Sequence, residues 1–182
     1  MWGAAGVAGD EVERVVVVSK THLDVGFTDL AAAVRERYLT DFFPRAVAVA
    51  RELRALGGPE RLCWTTGSWI LHEALEAADR STRADLERAV EQGDLAWHAL
   101  PFTTHTELAD RSLLEHGLSI SARLDDRFGR STRAAKLTDV PGHTRGLVSV
   151  LAGGGGDPPP AGGHPAAGGP PPTLTRPPSS CS

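Results

Sequence analysis

Three histidines, two aspartates and a glutamate carry the chemistry this sequence can offer. His22 and Asp24 stand two positions apart in SKTHLDVGFTDL, directly after the run Val15 to Val18. On extended chain, positions i and i+2 project to one side. An imidazole nitrogen and a carboxylate oxygen so placed are both good zinc ligands. The plainer alternative is a structural histidine followed by a helix-capping aspartate. Asp139, in TDVPGHT, is a carboxylate that can ligate a metal or attack an electrophilic carbon. It can equally be an N-cap with Pro141 in the first helical turn. His143 follows one turn on, as a site residue or a helix-start residue. PFTTHTE adds His105 and Glu107, both able to touch a substrate, with Glu107 also suited to acid/base work. Trp69 can stack on a sugar face, although a tryptophan opening a helix is more often core.

These residues need a scaffold that gathers them. Val15 to Ser19 reads as a strand buried on both faces. Helical patterns follow from about Thr28 to Tyr38 and from Asp41 to Leu56. The second has Asp41 as N-cap, Pro44 in the first turn and Gly57-Gly58 as the stop. LCWTT (62–66) reads as a second strand and WILHEALEAA as a helix. Ser81 caps a further helix that stops at Gly93. DLAWHAL (94–100) is a third strand, Asp110 to Phe128 a helix closed by Gly129, and AAKLTD (134–139) a fourth strand. GHTRGLVSVLA opens the next helix. Strands alternating with helices imply parallel pairing through βαβ crossovers. In either a barrel or an open sheet, the strand C-termini share one edge, and ligands bind there. THLDVGF, TGSW, PFTTHTE and DVPGHT each follow a strand, so they converge. Trp64 and Trp97, inside strands, belong to the core. His72, His98 and His116 read as structural, and Asp29, Asp125 and Asp126 as cap or solvated-face residues.

The chain has 182 residues, is 41% hydrophobic and carries a formal net charge of -4. That suits one ordinary domain. No Lys/Arg cluster favours nucleic acid. Cys63 and Cys181 fit neither a disulfide framework nor a thiolate metal site. No stretch reads as a signal peptide or a membrane span. A soluble, cytoplasmic protein is expected. Residues 153–182 hold 8 of the 20 glycines and 9 of the 13 prolines. Such a segment cannot offset its ordering entropy and is expected to be a disordered tail. It starts within a helical pattern and has the Gly/Pro/Ala composition of a GC-rich gene read in a shifted frame. The ordered body is expected to be residues 10–152.

KTHLDVGFTD resembles the opening motif of glycoside hydrolase family 38, the α-mannosidases, where a His-x-Asp follows the first strand. TDVPGHTRG resembles that family's later Asp-containing motif, and TTGSWILHE and PFTTHTEL look closest to an uncharacterised bacterial branch. The resemblance covers about residues 13–152. It implies an α/β fold with a parallel, barrel-like sheet, seven-stranded in the family and incomplete here. It implies a zinc ion on His22, Asp24 and Asp139, with Asp139 also the nucleophile of a retaining glycosidase. The substrate would be an α-mannoside or related glycoside; Trp69, His105, Glu107 and His143, singled out from the residues alone, are the candidates to touch it. The family's fourth zinc ligand and its acid/base lie further along than this chain reaches, so the chain alone is expected to be inactive. A zinc-dependent deacetylase-like hydrolase, with the metal activating water, is the rival enzyme reading. A non-catalytic sugar-binding fragment is the other.

Overall fold

The computed structural model describes residues 19–140 and 142–153. Three short parallel strands, β1 (Ser19–Lys20), β2 (Trp64–Gly67) and β3 (Leu95–His98), form one sheet in the order β1-β2-β3. The register pairs Ser19 with Trp64, Lys20 with Thr65, Thr65 with Ala96 and Gly67 with His98. Parallel neighbours need a crossover. Here helices supply each one: α1 (Ala31–Arg37) and α2 (Phe43–Ala55), then α3 (Ser68–Ala77) and α4 (Arg80–Glu91). A 3-10 turn (Thr106–Leu108), α5 (Arg111–Phe128) and α6 (Gly146–Gly153) follow. The protein is therefore α/β with a parallel sheet.

Partner residues in a parallel pair project to the same face. Trp64, Thr66, Leu95 and Trp97 thus share one face, and all are buried. Trp64 packs against Tyr38 and Phe43, and Trp97 against Phe128 at the end of α5. So α2 and α5 cover the same side of the sheet. Lys20, Thr65, Gly67, Ala96 and His98 share the other face. The main core joins Leu23, Phe43, Ile70, Leu71, Leu75, Val90, Leu95 and Leu124. A second cluster packs Leu114 and Leu118 of α5 on Leu147 and Val150 of α6.

The helices α1 and α2 are one rod rather than two. A π-helical turn (Tyr38–Phe42) links them, and the Phe43 N–H reaches back five residues to the Tyr38 carbonyl. Pro44 has no N–H to give to Thr40, and the chain absorbs that loss by widening. Asp41 is accordingly no N-cap; it pairs with Arg45 at 3.5 Å. The rod ends at Gly57, whose φ of 71° suits a left-handed C-cap. At α4 the cap is Asp79, not Ser81. Its carboxylate accepts from Ser81 N at 2.8 Å and Thr82 N at 3.1 Å. At α5, Asp110 caps through Leu113 N and Gly129 closes the helix at φ 62°.

Two strand expectations change. Ser19 and Lys20 are exposed, because β1 is an edge of the described sheet; Val15 to Val18 lie outside the described residues. Residues 134–139 form no strand. They touch β3's continuation through one bond, Ala99 N to Ala134 O at 2.8 Å, and Asp139 turns out of extended geometry at φ 59°. The expected tail lies outside the described residues, apart from Gly153, which ends α6.

Candidate functional site

β1 runs into Thr21 and His22, and Tyr38 secures this exit. Its hydroxyl lies 3.3 Å from Thr21 Oγ1 and 3.4 Å from the His22 carbonyl. Buried Leu23 anchors the next residue in the core. Between these two anchors the His22 ring projects over the strand ends.

Its Nε2 meets Asp139 Oδ2 at 3.4 Å. Its Nδ1 lies 3.4 Å from Thr103 Oγ1, in the loop after β3. A tautomer that donates Nδ1–H to Thr103 turns the Nε2 lone pair toward Asp139. This is the usual way a partner on one nitrogen orients the other for metal binding. Two strand exits, after β1 and after β3, and the irregular segment before α6 thus meet at one imidazole.

Asp139 holds a backbone conformation, φ 59°, that aspartate tolerates better than most side chains. Its side chain is 76% exposed, against 33% for His22. The carboxylate is open to an incoming molecule and is anchored by little besides His22. Four residues on, His143 Nδ1 lies 3.3 Å from Thr106 Oγ1, and Thr144 N donates to the same oxygen at 3.1 Å. Buried Thr106 thereby ties the Asp139 loop to the PFTTHTE loop. Glu107 sits at that seam: a Cβ built on Gly142 would stand 3.8 Å from Glu107 Oε1.

Of the residues marked in the sequence, His22 and Asp139 come together, and His143 and Glu107 join them through the loop seam. Asp24 is half-buried but does not complete a ligand group. Among the described residues, no three His, Cys, Asp or Glu side chains are close enough to hold one metal ion. His105 is exposed on the loop. Trp69 is half-buried and packs edge-on against Phe102, with ring centroids 5.7 Å apart. That contact supports the loop carrying Thr103.

Zinc fit is partial. Two donors about 2.0–2.1 Å from a tetrahedral zinc lie about 3.3 Å from each other. The His22–Asp139 separation of 3.4 Å matches that edge. The third ligand is not in place.

Four residues here escaped the sequence reading. Thr103 and Thr106 orient the two histidines, and the only signal was their place in a threonine-rich strand exit. Asp125, read as a solvated or capping residue, is a hub. It accepts from Trp97 Nε1 at 3.1 Å, Thr132 N at 2.8 Å and Thr132 Oγ1 at 2.7 Å. His98, read as an ordinary structural histidine, is 8% exposed with an unpartnered Nδ1. Burial, followed by the charges of Lys136 and Lys20, lowers its pKa to about 4. Its alternation with Trp97 along β3 placed it on the opposite sheet face and was the available clue.

No family model, curated protein or solved structure matches the chain. No helix among the described residues is long and apolar enough to cross a membrane.

Proposed function

We propose that this chain carries the metal-and-nucleophile portion of a zinc-dependent retaining glycosidase of the family 38 kind. The carrying observation is the 3.4 Å approach of His22 Nε2 to Asp139 Oδ2. These residues come from the two motifs that resemble that family. The sheet also favours a barrel-like parent. Its strands are parallel, lie in sequence order, and carry α2 and α5 on one side. An open doubly wound sheet would place helices on both.

In this reading His22 and Asp139 would hold the zinc, with Asp24 as the further ligand the sequence motif offers. Zinc bound there would supply positive charge for sugar hydroxyls. The exposed Asp139 carboxylate attacks the anomeric carbon, forming a glycosyl ester as the bond to the leaving oxygen breaks. The family's acid/base lies further along than this chain reaches; within the chain, Glu107, at the seam with the Asp139 loop, is the carboxyl group we would assign to protonate that oxygen. Thr103 and Thr106 keep the two histidine rings oriented. With only a two-donor edge in place, zinc is held weakly and turnover by this chain alone is negligible.

Mass spectrometry after incubating the zinc-loaded chain with an activated fluorinated mannosyl fluoride tests the chemistry. A glycosyl adduct on Asp139 is the expected product even where turnover is negligible. Hydrolysis of acetylated sugars, with Asp139 unlabelled, would replace this reading with a deacetylase-like one. Labelling elsewhere, or none together with zinc-independent binding of mannose, would replace it with a sugar-binding role.

A further inference from the structure

The sheet face turned away from α2 and α5 carries a cationic group that the His22–Asp139 chemistry does not use. Lys20 ends β1 and His98 ends β3, and the register puts both on this face. Lys136 comes from the segment beside β3. Its Nζ donates to the Thr21 carbonyl at 3.3 Å, which fixes it next to the His22 exit. Lys20 immediately precedes Thr21, so both lysines belong to the β1 exit. Burial first, and then Lys20, hold the Lys136 pKa below the usual lysine value. Both lysines act electrostatically on His98.

None of the ion pairs among the described residues takes Lys20 or Lys136. His98 is more than nine-tenths buried, and its Nδ1 has no protein partner. Like charges gathered at one strand exit, one of them half-buried, repel one another. An oxyanion between them converts that repulsion into two charge-assisted hydrogen bonds and offers the neutral imidazole an acceptor.

We propose that Lys20, Lys136 and His98 form a subsite for a small oxyanion, a carboxylate or phosphate group, beside His22. The subsite stands independently of the zinc reading. If both hold, the substrate is a glycoside bearing an acidic group.

The test is a titration of the full chain at pH 7, following the His98 ring and Lys20 amide resonances by NMR. Inorganic phosphate is the first probe, and glucuronate and glucose are the second and third. Saturable shifts at His98 with phosphate are expected. Lys20→Gln and Lys136→Gln each weaken them by about tenfold or more, the loss of one charged hydrogen bond. Lys136→Arg retains the charge and most of the affinity, which separates loss of the site from loss of the fold. Glucuronate binding with glucose inert assigns the oxyanion to an acidic sugar, and phosphate alone assigns it to a free or esterified phosphate. Absence of saturable shifts with both anions, or unchanged affinity in both Gln variants, overturns the subsite.

Discussion

His22 Nε2 and Asp139 Oδ2 stand 3.4 Å apart, although one leaves the first strand and the other lies in the irregular segment before the last described helix. Neither side chain has a local reason to find the other. The parallel sheet sets the β1 and β3 exits at one edge, and the loop seam at Thr106 holds the Asp139 turn there.

The support for His22 depends on a close backbone approach elsewhere. A Cβ on Gly67 would lie 2.2 Å from the Pro101 carbonyl oxygen, well inside contact distance. Gly67→Ala therefore displaces the loop that leads to Phe102 and Thr103. The expected cost is about 1–3 kcal/mol, as for other overpacking changes. Zinc affinity falls with it as the Thr103–His22 contact lengthens. Thermal unfolding of the variant checks this; an unchanged Tm contradicts it.

Asp125 holds three donors at once, one of them the indole N–H of buried Trp97. Asp125→Ala leaves those donors without their acceptor. Orphaned donors cost roughly 1–3 kcal/mol each when buried, so a net loss of about 2–4 kcal/mol is expected here. Urea unfolding followed by tryptophan fluorescence measures it. A loss under about 0.5 kcal/mol would mean that water replaces Asp125 freely.

His98 makes stability depend on pH. Its folded pKa is about 4, below the ordinary 6.5, chiefly through burial and then through Lys136 and Lys20. Between these values the unfolded chain binds the proton and the folded chain does not. Stability is thus fully present above pH 6.5 and declines as pH falls toward 4, by at most about 3 kcal/mol. Asp79, Asp85 and Asp110, each held below the usual carboxylate range by hydrogen bonds, add a decline at lower pH. Urea midpoints from pH 7 to 4.5 should fall for the native protein and fall less for His98→Asn. Parallel curves would contradict the assignment.

Much of this architecture was legible in the sequence, because it rests on local signals. Trp64–Gly67 and Leu95–His98 are short apolar runs, Asp110 and Gly129 bracket α5, and Gly57 and Gly93 sit at left-handed stops. The misreadings have physical causes. Pro44 reads as a helix start, yet a π turn lets a rod pass through it. Asp79 and Ser81 are both good caps, and tertiary context selected the first. Residues 134–139 have strand-like composition, but their single bond to the sheet and the turn at Asp139 leave them irregular. In the site, only the His22 half of its meeting with Asp139 followed from strand-exit logic, since residues 134–139 form no strand. Thr103, Thr106, Lys20, Lys136 and His98 did not, since their roles arise from neighbours remote in sequence. Asp24 is the reverse case: its spacing from His22 suggested a ligand pair that the loop does not arrange.

The central claim is that His22 and Asp139 form one edge of a zinc site. Isothermal titration of the full chain with zinc, alongside His22→Ala and Asp139→Asn, tests it most directly. Asparagine suits the left-handed backbone at 139 as well as aspartate does, so this variant removes the charge and keeps the turn. The account predicts one weakly held zinc per chain, with affinity reduced about tenfold or more in each variant. Zinc binding that both variants leave untouched, or none in the native chain, would contradict it.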